Sequence, residues 1–301
     1  MMKNRFHIPV MLDESINGLN INPLGVYVDV TYGGGGHSNQ ILSRINGGHL
    51  FSFDQDKMAI SNKINNDSLT LINMNFKYLS QVLKSYGVDK IDGLIADLGV
   101  SSYQFDKPER GFSTRFNSKI DMRMNTDNPI NAVNILNNYE KKDLQRIFKI
   151  YGDLRNSKNI SEKICDYRIE NPIKYVNQLK EILKNTYEQK KENKFLAKLF
   201  QAIRIEVNDE INSLKQMLKQ SINLIKIGGR LVVISYHSLE DRLVKNIIKN
   251  GKFDGEVDKD FYGNPIPLFK KINKKPITPS NKELFNNSRS RSAKLRIAER
   301  I

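Results

Sequence analysis

Hydrophobic and polar positions follow two different periods along this chain, and the change of period divides it. In the first hundred residues, short runs rich in β-branched, aromatic and other apolar residues recur at 27–32, 50–53, 69–74 and 91–98. Runs of this length and composition, bounded by turn formers, predict buried strands. Between them lie stretches with one apolar side: Ile41, Leu42 and Ile45, then residues 60–64, then Leu79, Val82 and Leu83 within 78–86. These predict helices, and strand alternating with helix predicts an α/β domain. A leading segment, residues 5–14, sets Pro9 among apolar neighbours.

Beyond this the pattern changes. Residues 107–128 are polar and turn-rich, and from 130 to about 193 the period is helical with little strand signal. Such a block predicts an inserted all-helical subdomain over 107–194, with residues 1–106 and 195–301 forming the sheet domain. Leu196, Phe200, Ile203, Val207, Ile211, Leu214, Leu218, Ile222 and Ile225 then follow at a mean spacing of 3.6. That spacing predicts one long core helix, ended by Gly228 and Gly229. Residues 230–236, RLVVISY, predict a fifth strand, and Ser238 is a candidate cap for a helix running to 248. Residues 251–288 predict loops around a strand at 266–272, and the alternation at 293–298 predicts a last, antiparallel strand.

Candidate chemistry gathers where the strands end. In VYVDVTYGGGGH four glycines follow the first strand directly, and the second strand ends on Asp54, 21 residues beyond Gly33. Glycines let backbone approach a ligand, and an acidic second-strand tip can bind two ribose hydroxyls. Ser38 stands where a dinucleotide turn has its third glycine. That disfavours a pyrophosphate and a nicotinamide cofactor, and suits a ribose-bearing ligand without phosphate, such as S-adenosylmethionine. Phe76 and Asp97 mark the ends of the third and fourth predicted strands. Ligands of open α/β sheets bind outside those ends, so Asp54, Phe76 and Asp97 converge on one crevice.

Charge adds a partner class. The net charge is +15, and residues 270–301 alone carry ten Lys/Arg against two Glu. Arg289, Arg291, Arg296 and Arg300 lead that tail, which predicts binding to a polyanion, nucleic acid above all. The single Cys165 excludes an intrachain disulfide and suits a reducing cytoplasm. Four histidines without paired spacing predict no metal site. Apolar runs such as 231–234 are too short to cross a bilayer, and the first residues hold no long apolar core of a secretory signal.

Together, HIPVMLDESINGLNI, DVTYGGGGHS, DGLIADLGVSSYQFD, ERGFS, DMRM, FQAIRIEVNDEI, GGRLVVISYHSLEDRLVK and NNSRSRSAKLRIAER resemble one family. It is the bacterial family of methyltransferases that modify cytosine N4 in 16S, small-subunit, ribosomal RNA (the RsmH, or MraW, family). The resemblance runs in order from residue 7 to 300 and is weakest in the helical insert and at 251–285. It implies a class I, Rossmann-like, S-adenosylmethionine-dependent methyltransferase sheet, an inserted helical domain for RNA recognition, and a cytidine in the decoding-centre region. It also implies cofactor contacts at Gly35, Gly36, His37, Asp54, Phe76, Asp97 and Gln104, to which the glycine turn adds Gly33. Two departures stand out: KFLAKLFQAIRI lacks the His-Pro-Ala-Thr-Arg that precedes FQA in the family, and Phe51-Ser52-Phe53 replaces smaller residues, a change expected to concern packing only.

Cytosine N4 is conjugated with its ring and is a poor nucleophile, so acceptors on its N–H groups are required. Many amino-methyltransferases use an Asp/Asn-Pro-Pro-aromatic loop after the fourth strand; here that loop is Asp97-Leu98-Gly99-Val100-Ser101-Ser102. Asp97 is therefore the first catalytic candidate, with His237 at the fifth strand's end as a second candidate, for the proton or for RNA. Tyr103 and Phe105 are candidates to stack on an extruded base or to anchor their loop. Arg110, Arg115 and Arg123, with Arg289, Arg291 and Arg296, are candidate phosphate contacts. The alternatives are a non-catalytic RNA-binding or ribosome-assembly protein and a methyltransferase acting on a non-RNA substrate, with monomer and homodimer both open.

Overall fold

The computed structural model describes residues 9–61 and 63–301, so residues 5–8 of the leading segment and Asn62 of the predicted helix at 60–64 lie outside the described residues. Seven strands form one sheet: β1 (Val26–Asp29), β2 (His49–Phe53), β3 (Leu69–Ile72), β4 (Ile91–Asp97), β5 (Ile225–Ser235), β6 (Phe269–Lys271) and β7 (Lys294–Arg300). Their order is β3-β2-β1-β4-β5-β7-β6. β1 to β5 are parallel, while β7 runs antiparallel to both β5 and β6. The chain reverses its direction of travel across the sheet between β1 and β4, which opens a crevice at the carboxyl ends of these two strands. This is the α/β domain expected from the strand and helix periods, in the Rossmann-like form that the resemblance implies.

Both faces of the sheet are covered, which explains the near-continuous apolar runs of the central strands. On one face Val28, Phe51, Phe53, Leu94, Ala96, Leu231 and Val233 pack with Leu79, Val82, Leu83, Leu214, Met217, Leu218, Val244 and Ile247 of the helices Leu79–Ser85, Glu210–Leu224 and Ser238–Asn250. On the other, Tyr27, Leu50, Ile95, Val232, Ile234, Leu295 and Ile297 pack with Ile16, Leu19 and Ile41 of the helices Leu12–Leu19 and Gly36–Leu42. Alternate residues of each strand serve the two layers, as the pleat requires.

The chain divides into two compact units, one comprising Met1–Gly99 with Ile211–Ile301 and the other Val100–Glu210. These bounds differ from the expected insert at 107–194, and the reason is visible in the stripe from Leu196 to Ile225. It forms two helices, Glu192–Val207 and Glu210–Leu224, separated where Asp209 takes a left-handed φ of 51°. Phe195, Leu196, Leu199, Phe200, Ala202, Ile203 and Val207 belong to the helical unit's own core, with Ile135, Leu144, Phe148, Ile160 and Leu179. Gly228 and Gly229 do not end the helix, which stops at Leu224. They shape an irregularity inside β5, where Gly228 has φ 83° and a Cβ on Gly229 would meet the Asp92 carbonyl at 2.7 Å.

Polar residues of the FQAIRIEVNDEI stretch pin this second unit. Arg204 makes a two-pronged pair with Glu210 at 2.8 and 3.0 Å across the break. Buried Asn208 accepts from the Met124 N–H at 2.7 Å and donates to the carbonyls of Met122, at 2.7 Å, and Arg204, at 2.9 Å. Replacing Asn208 by Ala strands a buried donor and acceptor of the 122–124 segment. At a cost of about 1–3 kcal/mol per stranded group, Asn208→Ala is expected to lower unfolding stability by about 2–4 kcal/mol. Urea denaturation monitored in the helical unit measures this.

Candidate active site

The crevice is organised from β1 outward. Asp29, its last residue, is buried, and its Oδ2 accepts from the Ser38 hydroxyl at 2.7 Å while Oδ1 accepts from the Thr31 N–H at 3.0 Å. Ser38 Oγ lies 2.9 Å from Ser52 Oγ on β2. Ser52 thus does more than pack, in contrast to the expectation for Phe51-Ser52-Phe53, because it joins a polar network on the sheet's central strands. Thr31 Oγ1 accepts from the Asp97 backbone N–H at 2.7 Å, which carries the network to β4. Burial raises the Asp29 pKa, and His37 together with the Ser38 and Thr31 donors opposes that rise. Asp29 was not among the candidate residues, although an acid closing the first strand before a glycine turn was a signal in plain view.

The glycine turn needs its glycines at two points. Gly35 has φ 75°, a left-handed conformation that L side chains rarely adopt, and a Cβ there would stand 2.9 Å from the Tyr32 hydroxyl oxygen. A Cβ on Gly36 would stand 2.1 Å from Pro9 Cγ, so the following helix begins against that proline. Gly33 donates its N–H to Asp54 Oδ2 at 2.8 Å, and Asp56 donates to Oδ1 at 2.8 Å. The β2 acid is thereby fixed in orientation beside the turn, and desolvation raises its pKa to about 6. Asn75 Nδ2 donates to Gln55 Oε1 at 2.8 Å and its Oδ1 caps the short turn Phe76–Tyr78, which sets Phe76 at the end of β3 against the core.

Asp97 closes β4 with its side chain 17% accessible. Oδ1 accepts from the Tyr236 hydroxyl at 2.7 Å, and Oδ2 lies 4.0 Å from His37 Nδ1. His37 Nε2 is 3.2 Å from the Val10 carbonyl, an acceptor, so that nitrogen carries a proton and Nδ1 is the atom turned to Asp97. Desolvation raises the Asp97 pKa to about 6, against the lowering influence of His37 and of the Tyr236 hydrogen bond. Gly33, Gly35, Gly36, His37, Asp54, Phe76 and Asp97 therefore all lie on the turn and strand ends of the first unit. Gln104 belongs to the second unit, where it is buried and its Oε1 accepts from the Ser101 N–H at 3.2 Å in a capping box.

His237 occupies the N-cap position of the helix Ser238–Asn250, the role expected of Ser238. Glu240 reaches back to accept from the N–H groups of Tyr236, at 2.8 Å, and His237, at 3.3 Å. His237 Nε2 lies 3.1 Å from Glu240 Oε1. The Nδ1 side of the imidazole caps its own helix, 3.5 Å from the Glu240 N–H, while Nε2 is buried without a hydrogen-bond partner among the described residues.

The candidate phosphate contacts separate into two groups. Arg110 is buried and donates to the carbonyls of Arg123 and Met124 at 2.9 and 3.1 Å. Arg123 pairs with both oxygens of Asp121 and donates to the carbonyls of Thr126 and Asn128. Arg296 makes a two-pronged pair with Asp241 at 2.6 and 3.1 Å. These three brace the fold, so the ERGFS and DMRM stretches are matched to each other rather than to solvent. Arg115 is half exposed beside Asp106 and over Phe105, and Arg289 and Arg291 are exposed on the turn Ser288–Ser292. Tyr103 is exposed, while Phe105 packs against the helical core.

Among the described residues, no helix is long and apolar enough to cross a membrane. The chain is 52% identical over 297 residues to ribosomal RNA small subunit methyltransferase H of Flavobacterium johnsoniae, covering 98% of each chain. It is 51% identical over 302 residues to the protein of the same name from Christiangramia forsetii, covering both chains completely. Among solved structures, a putative methyltransferase of Streptococcus mutans in complex with SAH aligns over 98% of this chain and all of that one, at 13% identity and a TM-score of 0.41. The family profile matches residues 4–301, and with the relatives at this identity and coverage it places the chain in the MraW methylase family.

Proposed function

We propose that the protein transfers a methyl group from S-adenosylmethionine to the exocyclic N4 of a cytidine in 16S ribosomal RNA of the small subunit, in the cytoplasm. Membership of the MraW family makes the chain a methyltransferase, and its relatives carry the name of small-subunit ribosomal RNA enzymes. The observation that carries the reading to this chain's own residues is the convergence of the glycine turn, Asp54 and Asp97 at the switch point between β1 and β4.

The residues fit the cofactor. Asp54 has each carboxylate oxygen held by one backbone N–H, an orientation that leaves further lone pairs for ribose hydroxyls. Gly33, Gly35 and Gly36 keep the turn bare of side chains beside it. Phe76 at the β3 end offers an apolar wall for the adenine, and His37 and Asp97 hold the methionine end of the crevice. When bound, S-adenosylmethionine supplies an electrophilic methyl on sulfur.

The chain's task is to raise the nucleophilicity of an amine and to remove its proton. Asp97 Oδ2 accepts from an amino N–H, which localises the nitrogen lone pair as attack proceeds. A carboxylate whose pKa burial has lifted to about 6 is better matched to a proton at neutral pH than an ordinary one near 4. Arg115, Arg289 and Arg291 supply phosphate contacts that give affinity without reading sequence, together with the basic tail. Arg110, Arg123 and Arg296 support the surfaces that carry them.

The reaction is tested by tritiated methyl transfer to small ribosomal subunits from a strain lacking the endogenous enzyme, followed by nucleoside digestion. Label is expected in N4-methylcytidine; label in any other nucleoside removes the assigned atom. A second expectation concerns pH. Transfer requires Asp97 ionised, so kcat/KM is expected to rise through an acidic limb near pH 6 and level above it, and Asp97→Asn to lose on the order of 100-fold or more.

The same pKa has a stability consequence. The folded protein binds a proton at Asp97 between about pH 4 and 6 that the unfolded chain has released, so this contribution to stability is lost as pH rises through about 6. Without added cofactor, Asp97→Asn is expected to be more stable than the parent by about 1–3 kcal/mol at pH 8 and nearly equal to it at pH 4. Paired denaturation curves at the two pH values check the sign.

A further inference from the structure

We propose that Tyr236 is a positioning residue for methyl transfer: its phenol O–H holds Asp97 Oδ1, so that Oδ2 is the oxygen presented to the reacting amine. The inference rests on the role assigned to Asp97 above. It starts from a single contact, the Tyr236 hydroxyl donating to Asp97 Oδ1 at 2.7 Å. A carboxylate at a strand tip is otherwise free to turn about its last bond, and either oxygen can then face the crevice.

Everything around this contact is braced. The residue that ends β4 pairs with Ile234 of β5, two positions before Tyr236. The Tyr236 backbone N–H is fixed by buried Glu240 at 2.8 Å, through the same capping box that occupies His237. Gly99 runs beside the phenol ring with φ 102°, and a Cβ there would touch the ring at 3.5 Å. On the opposite side, Thr31 Oγ1 receives the Asp97 backbone N–H at 2.7 Å and is itself anchored on buried Asp29. Backbone and one oxygen of Asp97 are thus held from two neighbouring strands, and Oδ2 is directed to the side of His37, whose Nδ1 is 4.0 Å away.

The phenol is suited to this work. Burial and the neighbouring carboxylate hold its pKa far above the ordinary tyrosine value, so it stays protonated and remains a donor at every working pH. Among the described residues, the titratable groups that act on Asp97 are His37 after β1, Asp29 on β1, Tyr236 after β5 and Glu240 on the following helix. His37 and the Tyr236 hydrogen bond favour the carboxylate, and Asp29 and Glu240 oppose it. Deleting the phenol oxygen alone therefore shifts Asp97 upward while leaving an aromatic ring of nearly equal volume in place.

The test is Tyr236→Phe in the full chain, with the pH dependence of methyl transfer to small ribosomal subunits. A hydrogen bond to a charged acceptor is worth enough to move its partner by about one pH unit. The acidic limb of kcat/KM is expected to shift up by about that unit, giving roughly tenfold slower transfer below the limb. A limb that does not move, or an equal loss at every pH, overturns the proposal. Titration of the 13C-labelled Asp97 carboxyl by NMR gives the same readout without activity; an unchanged midpoint in Tyr236→Phe also overturns it. Asp97→Asn in the same assay separates the two layers. Full turnover in Asp97→Asn sinks the catalytic reading of Asp97, whereas an inactive Asp97→Asn beside an unaltered Tyr236→Phe sinks only the role of Tyr236.

Discussion

The site depends on keeping carboxylates charged or chargeable at the tips of a sheet that is apolar on both faces. Desolvation is the largest influence on Asp29, Asp54 and Asp97 alike. Each is tolerated because donors converge on it: a serine and a threonine on Asp29, two backbone N–H groups on Asp54, and a phenol on Asp97. A buried carboxylate without such partners would cost several kcal/mol and simply take up a proton. The sheet's order supplies the partners, because adjacent parallel strands end together and their following loops fold back over one another. The glycine turn is one of those loops, and the Gly33 N–H in it holds the acid beside it.

This explains which parts of the site were legible in the sequence. Asp54, Phe76 and Asp97 could be placed because they lie at or just beyond the ends of strands that hydrophobic runs had already marked, and a strand's end is a one-dimensional property. The hydroxyls that bind the strands together could not. Thr31, Ser38 and Ser52 look like ordinary polar residues until the sheet lays β1 between β2 and β4. Ser38 in particular reads as a missing glycine, whereas its hydroxyl is what satisfies buried Asp29. Tyr236 was counted as the end of an apolar run, and only the β4–β5 register reveals that its polar tip meets Asp97.

The fold followed the same rule. Strand and helix identities were legible from period, but breaks inside a continuous period were not. The stripe from Leu196 to Ile225 keeps a helical spacing across Asn208 and Asp209, although the chain stops and restarts there. The break is specified by polar contacts: Asn208 bonding to the 122–124 segment, Arg204 reaching Glu210, and a left-handed Asp209. None of these alters the count of apolar positions, so a periodicity argument runs straight through them. Gly228 and Gly229 misled in the converse way. Two glycines after a helix suggest its end, yet here Gly228 supplies a left-handed φ and Gly229 avoids crowding within a strand.

Charge shows a similar division between composition and placement. A net charge of +15 suggests an arginine-studded nucleic-acid surface, yet an arginine is as valuable inside a fold as upon it. Its planar fork can satisfy several carbonyls or a whole carboxylate at once. Arg110 and Arg123 interlock two loops through backbone carbonyls, and Arg296 locks β7 to the helix after β5. These guanidiniums are held by acceptors they already have, so exchanging one of those bonds for a phosphate would loosen the fold. The long-range attraction of a basic chain for a polyanion is indifferent to such pairing only where no carboxylate cancels the charge. Arg123 and Arg296 are cancelled by Asp121 and Asp241, whereas the nine other lysines and arginines of residues 270–301 stand against two glutamates there. The excess positive charge that the proposed attraction to RNA needs therefore lies in residues 270–301, while the paired arginines brace the fold.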